Sequence, residues 1–511
     1  MAAKYHNSFL GVCGAAVLAF QPAAVFAQDG LPGSLYPDDV VAPLKVAEAE
    51  QNTGKQKLSV PAANAVPAQT DNPRLAKALG AASFILSGGA SSTEFQSMIR
   101  RAVGRQPVLH AQASALDEMR AARRGAKSAL YPQLSTQLRG DYVLSRDFSP
   151  TTDNVVESLR PREQFAASVT ASQLLFDGGA TFQRIKAAKA RESEFKNSLH
   201  TRINQTAISA LTTYHDLLTH QALAALGGAF IERHETILEN VKERENLGAA
   251  ATADVTRAVA RLSAAQARLA EIRESERLSE LRFEEYFENA PARLSRPQLE
   301  PDFSENRDQV VASSLSANPE LAVASARAMA STAEYKAAKG ARLPEVRVSV
   351  DAVKYDVFDS GDDFDIRAGL NLNYNIFSGG ARGATIAQAA SRARQARFGE
   401  DQVRQEIERE AAIAYERVEG AKARLAALET AVIAHSETRD LVLERYRLAR
   451  GDLIDVLQAE NDYFEAGAAY LMGVANFDLA NYALMQHTGE LSARFSPQEE
   501  YADQIAGFAN D

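Results

Sequence analysis

The sequence predicts an α+β fold, mainly α, in which one unit of helix, β-hairpin, very long helix and helix is used twice. Three observations predict it. The first is an internal duplication: Leu174-Leu175-Phe176-Asp177-Gly178-Gly179 returns as Asn375-Ile376-Phe377-Ser378-Gly379-Gly380, an offset of 201 residues. Asp254-Val255 recurs as Asp455-Val456 at the same offset, whereas Pro107 and Pro319, and Pro132 and Pro344, are 212 apart. The first copy therefore carries 11 extra residues between Pro132 and Phe176. A period of this size is too long for a solenoid and implies two large structural halves. The second observation is a pair of proline-free helical stretches of nearly 70 residues, and the third is four segments of strict alternation.

Taken in order, residues 1–27 have the pattern of a secretory signal. Lys4 supplies the positive charge, Phe9 to Phe20 the apolar run, and Val25-Phe26-Ala27 a small-residue cleavage site. The only cysteine, Cys13, lies within it. Residues 28–92 mix Pro, Gly, Ala and polar residues without clear periodicity and are expected to be mostly disordered. The first repeat covers 93–290, a linker 291–304, the second repeat 305–491, and a C-terminal tail 492–511.

Within each repeat a helix (about 93–130; about 305–342) ends before Pro132 or Pro344, because proline forces its predecessor out of the helical region. A hairpin follows, with strands at about 133–146 and 163–176, and again at about 345–357 and 364–377. Ile366, Ala368, Leu370 and Leu372 alternate there with Asp365, Arg367, Asn371 and Asn373. Apolar-out, polar-in alternation over about ten residues is the pattern of an outer-membrane barrel, and equally that of a half-buried soluble sheet. Four strands cannot close a membrane barrel, and open edges are not tolerated in lipid. Strands that span a membrane must then be pooled from several chains; three chains would give twelve.

The hairpin ends in glycine pairs, and a very long helix begins (about 180–247; about 381–449). In the second, Ile407, Ala411, Ala414, Val418, Ala421, Leu425, Leu428 and Val432 follow four-and-three spacing, the seam of a coiled coil. At 1.5 Å per residue such a helix reaches roughly 100 Å, which suits a rod or a tunnel. A turn and a final helix complete the unit (about 253–289; about 452–489).

Composition narrows function by exclusion. A net charge of −10 argues against a nucleic-acid partner. His234-Glu235 opens a zinc-protease pattern, but Leu238 stands where the second histidine is required. Gly54-Lys55 lacks the remaining residues of a phosphate loop. No cofactor, metal site or enzyme activity is expected.

From 93 to 491 the chain resembles the TolC-like outer-membrane channel family. The resemblance is carried by the two junctions (Phe176, Gly178, Gly179; Phe377, Gly379, Gly380), the turns at Gly248 to Val255 and near Asp455-Val456-Leu457, and the closing Leu471 to Leu491. The segment Asp452 to Ala466 looks most like members serving type I protein secretion. The resemblance implies a homotrimer whose twelve-stranded barrel sits in outer-membrane lipid above a helical periplasmic tunnel. It also implies docking on a periplasmic adaptor and an inner-membrane transporter, ABC or RND. Asp254 and Tyr446 match an inter-helix gate pair, and Asp455 an acidic constriction ring. The family's arginine in the second turn falls on Gly451, its second ring aspartate on Gln458, and the glycine before that turn on Ala449. Helix capping is the alternative role for Asp254 and Asp455. Drug or metal efflux is the competing function, and a periplasmic coiled-coil scaffold the competing class.

Overall fold

The structure is a computed structural model that describes residues 72–86, 92–145, 162–289, 291, 293–297, 306–358 and 363–497. The signal reading of residues 1–27 lies outside the described residues. In chain order the elements are α1 (Pro73–Leu79), a 3-10 segment (Gly80–Ile85), α2 (Ser92–Gly104), α3 (Pro107–Ser128), β1 (Gln133–Tyr142), β2 (Glu163–Phe176), α4 (Ala180–Asn246) and α5 (Thr252–Phe287). The second half follows with α6 (Arg307–Ala317), α7 (Pro319–Gly340), β3 (Glu345–Lys354), β4 (Phe364–Asn373), α8 (Ala381–Arg447), α9 (Leu453–His487) and α10 (Glu490–Phe495).

The expected single helix at the start of each repeat is two helices. Pro107 and Pro319 sit in their first turns, and the preceding Gln106 and Asn318 are extended, with ψ of 122° and 123°. Proline is comfortable at the first helical position but excludes helix before it, so the chain breaks there. The strands β1, β3 and β4 also stop short of their expected ends, at Tyr142, Lys354 and Asn373.

The four strands form one antiparallel sheet in the order β1-β2-β3-β4. Its register aligns Leu134, Leu138, Ala171, Val169, Val350, Val348, Leu370 and Leu372 on one face. The opposite face carries a polar ladder: Thr170 donates to Asp351 at 2.8 Å, Ser349 donates to Asp351 at 3.1 Å, and Asn371 donates to Ser349 at 3.3 Å. Neither face of β1 or β4 is covered; Leu138 and Leu370 are 65% and 68% exposed. A slip at Leu175 brings Phe176 opposite Val346, on the apolar side.

The helical core lies where α4, α8 and α9 pack together. The seam read from the sequence is buried there: Ile407, Ala411, Ala414, Val418, Leu425 and Val432 are all shielded from water. Glycine permits the closest approach, since a Cβ on Gly473 would lie 2.8 Å from Leu428.

Residues 73–86 correct the expectation of disorder for that part of 28–92. Leu75, Leu79, Ala82 and Ile85 are fully buried in the same core, and Tyr463 Oη donates to the Ala78 carbonyl at 2.5 Å. Asn72 caps α1 and donates from its amide to Glu429 at 2.9 Å. The described part of the linker is likewise built in. Leu294 is buried, its N–H donates to Gln221 Oε1 at 2.8 Å, and Tyr214 donates to the Ser295 carbonyl at 2.7 Å. The tail begins with α10, which buries Leu491 and Phe495.

Candidate functional site

The tip is built by the ends of α4 and α8 and the starts of α5 and α9. A second, smaller apolar cluster holds it: Ile237 and Val241 from α4, Tyr446 from α8, and Leu453, Val456 and Leu457 from α9. Tyr446 is buried in this cluster.

One polar tie here is not announced by the sequence. Arg244, in the last turn of α4, donates to the carbonyl of Tyr446 at 3.1 Å and stacks its guanidinium 4.3 Å above the Tyr446 ring. A cation at the carbonyl end of α8 is favoured by the helix dipole, and the ring adds a cation–π contact. Its only sequence signal was a basic residue in a last helical turn.

Asp254 and Asp455 occupy equivalent positions in the first turns of α5 and α9. The capping role considered for them is not made: the N-cap positions are Ala251 and Asp452, neither with a side-chain cap bond. Both carboxylates still meet the positive helix end. Asp254 accepts from Arg257 at 3.1 Å. Within the protomer no hydrogen bond joins Asp254 to Tyr446 among the described residues.

Asp455 lines a cleft of about 260 Å³ between α8 and α9, with His435, Thr438, Arg445, Gly451, Gln458 and Asp462. Gln458 donates to Asp462 at 2.7 Å, so the position that lacks the second ring acid is tied down its own helix. A side chain at Gly451 would meet only ordinary contacts, the nearest being Tyr446 N at 3.5 Å.

The turn before α9 is strained. Ala449 adopts φ of 56°, where the first repeat has Gly248 at 73°. A left-handed conformation costs an L-residue about 1–2 kcal/mol, so Ala449→Gly should stabilise the tip by a similar order. Hydrogen exchange at the ends of α8 and α9 should slow in that variant; unchanged protection would refute the strain.

The hairpin-to-helix junctions form as duplicated features. Gly178 and Gly179 have φ of 68° and 78°, and Gly379 and Gly380 have 59° and 87°. Asp177 Oδ2 accepts from Thr181 N at 2.6 Å and so closes the first turn of α4. Gly178 is also pressed against α7: a Cβ there would lie 2.3 Å from the Gly340 carbonyl oxygen. Phe176 is half exposed beside it, and Phe377 is 84% exposed.

Away from the tip, α9 meets the linker through an ion pair whose carboxylate, Asp478, is fully buried. Arg296 donates to both oxygens of Asp478, at 2.8 and 2.6 Å. His215 stands 3.7 Å from the same carboxylate, and burial pushes its pKa down to about 4, which keeps the ring neutral. The members of this group lie on three separate segments, so no local pattern announces it.

Among the described residues no group of His, Cys, Asp and Glu is arranged to hold a metal ion, and no helix is long and apolar enough to cross a membrane.

The profile of the outer membrane efflux protein family matches residues 98–285 and 310–490, which is well over half of the chain. The outer membrane efflux protein BepC of Brucella suis biovar 1 (strain 1330) is 26% identical over 387 residues, spanning 74% of this chain and 82% of that protein. Among solved structures, the CmeC outer membrane channel of Campylobacter jejuni superposes with a TM-score of 0.69 at 13% identity, covering 88% of this chain and 97% of CmeC. The outer membrane protein VceC of Vibrio cholerae gives 0.66 at 18% identity, covering 77% and 95%. These structural likenesses concern the fold. The family match carries the identification: the chain belongs to the outer membrane efflux protein family, and is an outer-membrane channel with a periplasmic tunnel and not an enzyme.

Proposed function

We propose that this chain is the passive exit duct of a tripartite type I protein secretion system. Three copies would pool their hairpins in the outer membrane, and the helical tip would dock on a periplasmic adaptor and an inner-membrane ABC transporter. Channels of this family are trimeric and work with adaptors and inner-membrane transporters. The single observation that carries the secretion reading is the start of α9, Asp452 to Ala466, whose sequence looks most like secretion members of the family. Energy must come from the transporter, since the chain carries no nucleotide-binding motif.

The second reading is efflux of drugs or metals. It is favoured by BepC, which is named an efflux protein. The two are separated by deleting the chain and comparing both the secreted proteins and the drug and metal tolerance of the cells. Loss of one or more secreted polypeptides supports secretion. A normal secretome with raised drug or metal sensitivity would replace it with efflux.

In a trimer, Asp455 from each copy would stand around one opening, and a ring of three carboxylates favours cations. Asp455→Ala should lower cation selectivity in planar bilayers; an unchanged reversal potential would remove the ring. The gate reading pairs Tyr446 with Asp254 of a neighbouring helix through a charge-assisted bond worth about 1.5–3 kcal/mol. Tyr446→Phe should then raise single-channel conductance, because the closed state loses that bias in every copy. Wild-type conductance would leave Arg244 on the Tyr446 carbonyl as the tie at the tip, since phenylalanine keeps that contact.

A further inference from the structure

Charge is unevenly distributed along the helices. Over the whole chain acids outnumber bases, 66 to 56. Beside the hairpins the balance reverses. Residues 119–131 hold four lysines and arginines, 178–191 four, 335–344 three and 378–399 four, and none of these stretches holds an aspartate or a glutamate. They contain the ends of α3 and α7 and the beginnings of α4 and α8, the four helix ends that meet the sheet.

Local stabilisation does not account for these cations. The helix dipole favours Lys127 and Lys339, which stand in the last turns of α3 and α7. It cannot favour Arg184, Lys186 and Lys189, which lie near the positive end of α4. Internal ion pairs absorb only some of the charge. Arg123 pairs with Glu192 and Arg191 with Glu334. Arg124, Lys127, Lys186, Lys189, Lys336 and Lys339 make no ion pair among the described residues, and all six are exposed. The offset of 212 carries Arg124 and Lys127 onto Lys336 and Lys339, so this basic pair occurs twice in each chain.

Position supplies the missing partner. The strands β1, β3 and β4 are ten residues long, just enough to cross the hydrocarbon of a bilayer. The helix ends then stand at the headgroup layer, which is about 5–8 Å thick. Lys127 and Lys339 come six residues before β1 and β3, and Lys186 lies in the second turn of α4, each within roughly 10–15 Å of the sheet. Lysine stems lying along the protein surface close the remaining gap. Phe182, 62% exposed, shares a face of α4 with Lys186 and Lys189 at spacings of four and seven, and an aromatic ring beside lysines suits a membrane surface. That face is the outer one in a tube of three copies. Four heptads farther along it is Tyr214, on which α2 packs through Phe95 with ring centroids 5.0 Å apart. Three copies of α2 on the inside would fill the duct.

We propose that the exposed cations flanking the hairpins form a collar that binds the anionic phospholipid headgroups of the periplasmic leaflet. The collar sets how far the sheet sinks into the bilayer, because the apolar face draws it in and the cations resist entering hydrocarbon. The proposal rests on the outer-membrane placement of the chain and is independent of what the channel carries.

The test offers the full-length protein, extracted from outer membranes in detergent, equal amounts of phosphatidylglycerol and phosphatidylcholine, and counts retained lipid by native mass spectrometry. The wild type should retain phosphatidylglycerol in preference, and high salt should abolish the preference, since screening then shortens to about 3 Å. Each cation removed should lower the preference about fivefold at low salt, so Lys186→Gln with Lys189→Gln should nearly erase it. Lys186→Arg with Lys189→Arg should keep it, and Lys242→Gln, at the far end of α4, should leave it unchanged. Lys336→Gln with Lys339→Gln repeats the measurement on the second repeat should the α4 variant fail to assemble. Equal retention of both lipids by the wild type, or an undiminished preference in the glutamine variants, overturns the collar. Displacement of the lipid by inorganic phosphate at constant ionic strength would also overturn it, by assigning the cations to free anions. A glutamine variant with normal lipid preference and a shifted reversal potential in planar bilayers would turn the lysines towards the duct. Absence of the wild-type chain from outer membranes would instead count against the placement on which the proposal rests.

Discussion

Replacing Asp478 by alanine is expected to cost about 3–5 kcal/mol, the usual penalty for removing one partner of a buried ion pair. Asp478 is fully buried in α9 and takes both donors of the Arg296 fork. Without it the guanidinium, whose side chain is only 12% exposed, is left as a buried charge with no counter-ion. His215 cannot compensate, since burial holds it neutral and its Nε2 already lacks a partner. The loss is also local to the connection between the repeats. Leu294 and Ser295 are pinned to α4 by Gln221 and Tyr214, so freeing Arg296 loosens one of several ties. Asp478→Asn keeps the shape and one acceptor and should cost less. As a control, Arg268→Ala removes an exposed ion pair with Glu465 and a contact with the Phe464 ring. Its ion-pair term is worth no more than about 1 kcal/mol, because solvent screens it. Thermal melting of the detergent-solubilised protein decides: Asp478→Ala melting no lower than Arg268→Ala would mean that the buried pair does not hold the linker.

How far the chain could be read depends on the range of the interaction. Periodic, local signals were legible. The offsets of 201 and 212 recur in the bounds of the helices and strands, the seam from Ile407 to Val432 is buried, and the even-numbered residues of β3 and β4 share the apolar face. Signals that depend on a distant partner were not. Residues 73–86 have apolar positions at Leu75, Leu79, Ala82 and Ile85, but such a short run is helical only because the core of α4, α8 and α9 buries it. Arg244 reads as an ordinary surface cation until the fold brings it to Tyr446. The breaks at Pro107 and Pro319 are local signals as well, since proline opens a helix and excludes one before it. Candidate site residues fared unevenly for the same reason. The junction glycines declare themselves by local conformation, whereas the gate proposed for Asp254, Tyr446 and Asp455 depends on contacts between helices that no local pattern announces.

Arginine at Leu370 is expected to destabilise the assembled channel by about 2–4 kcal/mol, and arginine at Asn371 to be tolerated. The two residues are neighbours on β4, so they share chain context, strand propensity and distance from the turn. They differ in face. Leu370 stands opposite Val348 on the side that carries Leu138, Val350 and Leu372, and 68% of it is exposed. Asn371 stands opposite Arg347 and donates to Ser349, within the polar ladder that includes Thr170 and Asp351. On the apolar side a guanidinium must leave water for hydrocarbon, a penalty that is greatest near the bilayer midplane. On the polar side it keeps its water and adds to a face that already carries Arg139, Arg347 and Arg367. A soluble sheet with one solvated face would show the opposite order of exposure, since its apolar side would be covered by helices; here no element of the described chain covers β1 or β4. The measurement is the amount of heat-stable trimer recovered from outer membranes for Leu370→Arg, Leu372→Arg, Asn371→Arg and Asn373→Arg. Depletion of the first two with normal recovery of the last two places Leu370 and Leu372 against lipid. Equal recovery of all four would show that this face does not meet the membrane.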